Sequence, residues 1–424
     1  MPLATMLMRT SIPATKIKLE KYFPIKTATA CKLKWGWSTL YLNSGTTASC
    51  HRASITELTP ENFYNFHNTD TKVQARQYML EGKWPTGGCE YCQGVEQANG
   101  FSDRMLHNSI PGLFHDNYDT ITSPAMLEVY FNNTCNLTCL YCHPGLSSSL
   151  DQEYTKFKSF DKDGVKLIPL EQKQIDDLEP KFWEWMSNNF STLERFHLLG
   201  GEPFYQKQFD KFLDFVDTHP NANCEFSIIT NLMISAEQLK NKITKIKKLV
   251  STKKLKRVDI TVSIDCWGEQ QEYVRYGLDL NVWLQNFLYL VDQKWITLNI
   301  NQTISVLTIK TMPELLERLQ KWRLERKIGH FFSVTEPGPD YMRPNILGKG
   351  VFDKDFDGIL KLMPTATDDD RRAVKYMQGI GNEIESRTIN IDEVKKLFVF
   401  LDEKDRRRGT NWRTVFPWLE NYVV

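Results

Sequence analysis

The chain has 424 residues, 41% of them hydrophobic and 25% charged, with a formal net charge of +1. That is enough for two or three domains with a sizeable core, and the charge balance excludes a global field favouring nucleic acid or a membrane surface. No apolar run approaches the roughly 18 residues of a membrane span. Nine cysteines without an apolar secretory h-region point to metal chemistry in a reducing compartment, hence a cytoplasmic protein, rather than to disulfides.

Taken in chain order, residues 1–30 read as an irregular segment. The first nineteen lack acidic groups and carry Lys16 and Lys18, a faint transit-peptide character, and a disordered start is expected. Residues 31–110 hold Cys31, Cys50, Cys89 and Cys92 among aromatics and turn-prone glycines, with little long helical pattern. Residues 125–337 alternate apolar runs with amphipathic stretches, and the pattern predicts strands near 126–131, 194–199, 224–230, 257–264, 296–304 and 329–335. Between them, Phe209, Phe212, Leu213 and Val216 mark one buried helical stripe, and Leu239, Ile243, Ile246 and Val250 another. The alternation implies an α/β fold: a parallel sheet with right-handed crossovers, six units forming an open or partial (β/α)6 barrel. Sites in such folds collect at the carboxyl ends of the strands. Cys135 follows the first strand of this series, Gly200 the second, Asn231 the third and Asp265 the fourth. Residues 352–424 are helix-rich, with a charged run from Asp402 to Arg413.

The spacing Cys135-x3-Cys139-x2-Cys142 directly follows the apolar run Leu127–Phe131. Three thiolates on a tight loop can hold three corners of a cubane 4Fe–4S cluster and leave the last iron open, whereas Fe–S clusters usually take four protein thiolates. The competing reading is a structural zinc knuckle with His143 as the remaining ligand. Together with Gly200-Gly201-Glu202-Pro203 and Ser263-Ile264-Asp265, the loop resembles the radical S-adenosylmethionine (SAM) enzymes over residues 125–340.

The resemblance implies that SAM chelates the open iron and is reductively cleaved to methionine and a 5′-deoxyadenosyl radical, which removes a hydrogen atom from a substrate. It also implies roles for particular residues. Cys135, Cys139 and Cys142 would ligate the cluster, and the backbone at Tyr141 would lie near the adenine. Gly200, Gly201 and Glu202 would receive the methionine ammonium, the glycines by close backbone approach and Glu202 as an acceptor-only carboxylate. Ser263 and Arg275 would hold the SAM carboxylate. Asp265 would accept from a ribose hydroxyl or cap the Cys266–Gly268 turn. Asn231 ends the third strand where many relatives have Thr-Asn-Gly, but Leu232 stands here in place of that glycine.

A second constellation, Cys31-x13-Gly45-x4-Cys50 with Cys89-x2-Cys92, resembles the opening of the SPASM and twitch domains, which bind auxiliary 4Fe–4S clusters. Four thiolates from two hairpin-like segments would close a full set, suited to electron transfer or structure and not to SAM. Trp84-Pro85 and Glu96-x3-Gly100-x-Ser102-x-Arg104 also look like the family, the latter with no assigned role. Here the set precedes the barrel instead of following it, and no cysteine lies between Cys92 and Cys135, so one auxiliary cluster and a twitch-like domain are expected. The competing reading is a four-cysteine zinc ribbon.

The expected division is therefore 1–30 irregular, 31–110 twitch-like, 111–340 barrel and 341–424 a helical extension. The expected function is a radical SAM enzyme that uses a low-potential donor such as flavodoxin or ferredoxin. Family analogy points to a ribosomally made peptide or protein as substrate. The alternatives are a non-catalytic Fe–S electron-transfer protein that kept the fold, and a zinc-dependent interaction domain fused to a radical enzyme. Cys224, Cys266 and His197 are expected to be packing residues, and Lys240–Arg257 a helix with solvated charges. Asp402 and Arg406, four apart, could pair on one helical face.

Overall fold

The structure is a computed structural model and describes residues 27–97, 102–108, 118–171, 176–335 and 338–423. The expectations for residues 1–26, for Gly100 and for the boundary at residues 110 and 111 lie outside the described residues.

Parallel strands covered on both faces need near-continuous apolar runs, and these runs place most of the strands. They are β1 (Trp37–Tyr41), β2 (Thr46–Ala48), β3 (Thr56–Glu57), β4 (Met126–Tyr130), β5 (Phe160–Lys162), β6 (Val165–Leu167), β7 (Arg195–Leu199), β8 (Asn221–Thr230), β9 (Leu255–Ser263), β10 (Thr297–Ile304) and β11 (Gly329–Val334). Each of the six expected strands is present, β8 beginning earlier than its pattern suggests. The sheet order is β11-β10-β9-β8-β7-β4-β1-β2-β3, with β5 and β6 a separate hairpin. Pairs β1–β4, β4–β7, β7–β8 and β10–β11 are parallel, whereas β1–β2 and β2–β3 are antiparallel. The architecture is mixed α/β with a large, mainly parallel sheet.

Residues 31–110 differ from expectation, because β1 pairs with β4 in register from Trp37↔Met126 to Tyr41↔Tyr130. They also contain helices Asp70–Leu80 and Cys89–Gln97. The first of these has no apolar stripe, since the side chains it buries include Lys72 and Arg76. Lys72 Nζ donates to Ser38 Oγ, Thr47 Oγ1 and the Phe66 carbonyl, and Arg76 to the carbonyls of Lys34, His67 and Thr120. Buried cations satisfied in this way hold a helix in place without hydrophobic periodicity.

The chain divides into two compact units, one of residues 1–132, 173–228 and 240–259, the other of 133–172, 229–239 and 260–424. In the first, Phe196 and Phe226 stand in register on β7 and β8. Phe209, Phe212, Leu213 and Val216 of helix Lys207–Thr218 are buried as their stripe predicts, and Phe212 stacks on Phe196 at 4.3 Å. The alternate residues of these strands face the other way, and one register row there is polar: Thr39, Glu128, His197 and Ser227, all buried. Thr39 Oγ1 donates to Glu128 Oε2 at 2.9 Å, and His197 Nδ1 lies 3.4 Å from Glu128 Oε1. Cys224 is likewise buried in this unit.

In the second unit, Trp283, Phe287 and Trp322 cluster with Trp267 above buried Cys266. Helices Asp353–Leu362, Asp368–Glu385 and Ile391–Arg408 form the C-terminal part. Asp402 and Arg406 do not pair. Asp402 accepts from Trp412 Nε1 and Arg413 Nη1, and Arg406 binds Glu403, because the tight turn after Gly409 carries the chain back over the helix end.

Helix Ala236–Ser251 ends before the lysine-rich stretch does, so Lys256 and Arg257 lie on β9, where both bind Glu225. Its stripe closes on buried Leu249, with Val250 half-buried.

Candidate cofactor and metal sites

Cys135, Cys139 and Cys142 lie on the loop after β4, none of them in a disulfide. The loop has little regular structure, so its backbone groups need other partners. Ser148 Oγ accepts from the Cys135 amide at 3.1 Å and Ser149 Oγ donates to the Cys135 carbonyl at 2.7 Å. The amides of Thr138 and Leu140 donate to the carbonyls of Tyr276 and Val274. Arg408, from the end of helix Ile391–Arg408, donates to the Thr138 carbonyl at 2.7 Å. This last partner is 270 residues away in the chain, and no sequence signal announced it. Burial pushes the Cys139 thiol up, the Arg275 guanidinium pulls it down, and Cys142 and Cys135 push it up again. Such thiols must lose protons to bind metal, and as a donor set they fit three corners of a cubane.

Beside the loop, Asp265 gathers its neighbours. Arg275 grips it with Nε at 2.8 Å from Oδ2 and Nη2 at 2.9 Å from Oδ1. Tyr141 Oη donates to Oδ2 at 2.5 Å and the Thr303 amide to Oδ1 at 2.9 Å. Both carboxylate oxygens are thus engaged within the protein. Burial works against the Arg275 charge, yet Asp265, Tyr141 and Cys139 hold its pKa well above the usual range. Tyr141 meets Asp265 through its hydroxyl, a contact that the expectation about its backbone did not include. Ser263 is buried at the end of β9, its carbonyl accepting from Trp283 Nε1.

Asn231 Nδ2 lies 3.8 Å from Cys135 Sγ and 2.9 Å from Asn136 Oδ1. Its side-chain oxygen accepts from the Met233 amide, and Thr230 Oγ1 accepts from the Leu232 amide. The turn needs a left-handed residue, and Leu232 supplies it at φ +62 where a glycine would be expected.

Gly200, Gly201 and Glu202 belong to the first unit. Gly200 has φ +85, and a Cβ there would stand 2.9 Å from the Asn132 carbonyl and 3.1 Å from the Tyr130 ring. Glu202 is buried, and its Oε1 caps the Phe204 amide at 3.1 Å.

Of the four N-terminal cysteines, Cys31 and Cys89 belong to one buried cluster with Cys50 packed against it, and none of the four lies on a hairpin. Cys31 precedes the short helix Lys32–Gly36, Cys50 follows β2, and Cys89 opens helix Cys89–Gln97, which puts Cys92 on the same face. Gly87 and Gly88 press the Cys89 segment against the chain after Cys50. A Cβ on Gly88 would overlap the Arg52 carbonyl, and the Ser54 amide donates to the Gly87 carbonyl at 3.0 Å. Burial raises the Cys31 thiol most, followed by Cys50 and Cys92.

Glu96, Ser102 and Arg104, left without a role by sequence, form one bonded group. Glu96 accepts from Ser102 Oγ and from Arg104 Nε and Nη2, while Arg104 Nη1 donates to the Ala30 carbonyl beside Cys31. Among the described residues, no three His, Cys, Asp or Glu side chains stand close enough to share a single metal ion.

No protein-family model matches the chain, and no curated protein does. Among solved structures it is similar to Streptococcus suis SuiB bound to S-adenosylmethionine, at 15% identity, TM-score 0.35, 72% of this chain and 63% of that one. SuiB bound to precursor peptide SuiA aligns at 14% identity, TM-score 0.33, 70% of this chain and 60% of that one. SuiB alone aligns at 12%, TM-score 0.33, 70% and 61%. The chain therefore spans less than two thirds of these structures, and a likeness at this level says nothing about chemistry. Among the described residues no helix is long and apolar enough to cross a membrane.

Proposed function

We propose that the chain is a radical SAM enzyme with one auxiliary cluster, its sheet a partial barrel. The reading rests on one observation above the others: three cysteines outside any disulfide on a pinned loop after β4, with the buried Arg275–Asp265–Tyr141 group beside Cys139. A 4Fe–4S cluster on Cys135, Cys139 and Cys142 would supply an open iron for SAM and the electron that releases a 5′-deoxyadenosyl radical. The protein's own part is to bind and orient. Arg275, with Nε and Nη2 committed to Asp265, would offer Nη1 to the SAM carboxylate. Asp265 acts here by fixing Arg275 and Tyr141. Asn231 would direct an N–H at the Cys135 sulfur, a contact that tunes a metal thiolate. Burial of Cys139 and of the Asp265 group keeps water from a reactive radical.

The twitch reading of the N-terminal four-cysteine site is part of the same proposal. A single zinc ion would need sulfurs converging at about 2.3 Å from one point. A cubane spreads its ligands wider. A peptide is the proposed substrate class, resting on the family resemblance.

The test is anaerobic reconstitution with iron and sulfide, then addition of SAM and dithionite. The expected results are a SAM-dependent change in the electron paramagnetic resonance spectrum and release of 5′-deoxyadenosine. Both should vanish in Cys135→Ala, and nucleoside release should persist in Cys89→Ala/Cys92→Ala. Iron and sulfide with no nucleoside would favour a non-catalytic electron-transfer protein. Zinc in the N-terminal set would leave the radical chemistry standing and remove the auxiliary cluster.

A further inference from the structure

Residues 240–257 hold nine cations, eight lysines and Arg257, and no acidic residue, although the whole chain is only +1. The rest of the molecule is therefore net acidic. Leu239, Ile243, Ile246 and Leu249 of helix Ala236–Ser251 are buried, which turns its lysines outward. The carboxylates that face this stretch are each shared between cations. Asp210 takes Lys242 and Lys245, Asp217 takes Lys248 and Lys254, and Glu225 takes Lys256 and Arg257. Lys240, Lys247 and Lys253 are exposed and have no carboxylate partner among the described residues. A surplus of positive charge thus remains after the internal pairs are made. The helix begins just after Met233, whose carbonyl accepts from Asn136 Nδ2 at 2.8 Å, next to Cys135.

We infer that this lysine face is the docking surface for an acidic protein that delivers the electron used at Cys135, Cys139 and Cys142. The inference deepens the radical SAM reading and rests on it. That chemistry consumes an electron which the chain does not itself make, so a donor must meet the protein and separate again. The donor loses one electron and the cluster gains one, with no bond made or broken between them. Exposed charges suit such a transient partner, because they steer the encounter and set its salt dependence more than they add affinity. Two other polyanions fit this face less well. No aromatic residue lies between 236 and 257 to stack on a nucleic-acid base, and phosphate recognition favours the arginine fork over lysine. An interfacial membrane helix needs apolar side chains to insert, and those of this helix are turned inward.

The experiment measures 5′-deoxyadenosine release by the full-length, reconstituted chain with SAM, driven either by reduced flavodoxin or by dithionite. The parent is compared with Lys240→Glu/Lys247→Glu and with Lys354→Glu/Lys361→Glu. The second variant makes the same charge change at exposed positions of helix Asp353–Leu362. At subsaturating flavodoxin, Lys240→Glu/Lys247→Glu should run about tenfold slower than the parent. That deficit should close as flavodoxin is raised, while Lys354→Glu/Lys361→Glu keeps the parent's rate throughout. With dithionite, a small reductant that needs no docking surface, all three should match. Equal flavodoxin-driven rates for all three overturn the inference, and RNA or anionic vesicles retained by the parent alone would then give the face to another partner. Slowing of Lys240→Glu/Lys247→Glu by the same factor with either reductant overturns it too, marking the lysines as structural. No nucleoside from the parent with dithionite would instead overturn the radical SAM reading itself.

Discussion

Arg275 and Asp265 form a buried two-point ion pair, with nitrogen–oxygen distances of 2.8 and 2.9 Å. The pair lies beside Cys139 and carries Tyr141 on the same carboxylate. Removing one partner of a buried pair leaves an uncompensated charge and costs about 3–5 kcal/mol. Arg275→Ala should therefore lower the unfolding free energy by about that much. Arg275→Lys should fall between Ala and parent, since an ammonium cannot reproduce the fork. Tyr141→Phe should cost about 1.5–3 kcal/mol, the usual worth of a hydrogen bond to a charged group. Urea denaturation of the metal-free protein measures all three. Equal stability of parent and Arg275→Ala would show that the pair does not hold the site together.

Leu232 tests backbone strain in the Asn231 turn. It is fully buried at φ +62, with its carbonyl accepting from Asn286 Nδ2. A left-handed conformation costs a non-glycine residue about 1–2 kcal/mol, and that cost is tolerated here because the side chain fills the core. Truncation loses the packing either way, about 2–5 kcal/mol for Leu→Ala. Glycine, however, also relieves the backbone. Leu232→Gly should thus be less destabilising than Leu232→Ala by about 1 kcal/mol, the reverse of the usual order. Urea midpoints of the two variants decide it, and Ala proving the milder change would show that the turn stores no strain.

The six expected strands are legible because apolar or alternating runs bounded by polar turns mark them. The cysteine spacings are legible because ligand geometry leaves few alternatives. What escaped is non-local. Trp37–Tyr41 shows no alternation, since both its faces are covered. Helix Asp70–Leu80 buries Lys72 and Arg76, so no pattern of apolar residues marks it. The engagement of Asp265 by Arg275 depends on how a turn brings the helix end back to β9. Lys34 reads as an ordinary surface lysine until the fold buries it against Ser49.

Buried His107 and half-buried His330 set an acid limit on stability. Burial pushes His107 down to about 4, with Asp103 opposing, and His330 to about 3. In the unfolded chain both titrate near 6.5. Below that value the unfolded state binds more protons, so stability is fully present above about pH 6.5 and falls as the pH drops toward the folded values. His107 packs its ring edge-on against Trp37 at 5.7 Å, a contact that phenylalanine can keep. His107→Phe should match the parent at pH 7.5 and exceed it by up to about 2 kcal/mol at pH 5. Denaturant unfolding at the two pH values checks this, and a pH-independent difference would count against it.

The contact of the C-terminal helix with the cysteine loop is the last point open to test. Glu153 accepts from Lys404 Nζ at 2.6 Å and Arg408 Nε at 2.8 Å, all three groups nearly or fully buried. Arg408 then reaches on to the Thr138 carbonyl, between Cys135 and Cys139. Removing the shared carboxylate leaves two cations facing each other, whereas removing Arg408 leaves the Lys404–Glu153 pair intact. Glu153→Ala should therefore cost about 3–5 kcal/mol and more than Arg408→Met. Arg408→Met should still release the loop carbonyl and let the three thiols drift. Its expected mark is a lower iron content at the Cys135/Cys139/Cys142 site after reconstitution, with the Cys31/Cys50/Cys89/Cys92 site filled as in the parent. Iron and sulfide analysis, with the two signals told apart by the response to SAM, reads the effect. Full occupancy of both sites in Arg408→Met would mean that the serine and backbone bonds of the loop suffice without the helix.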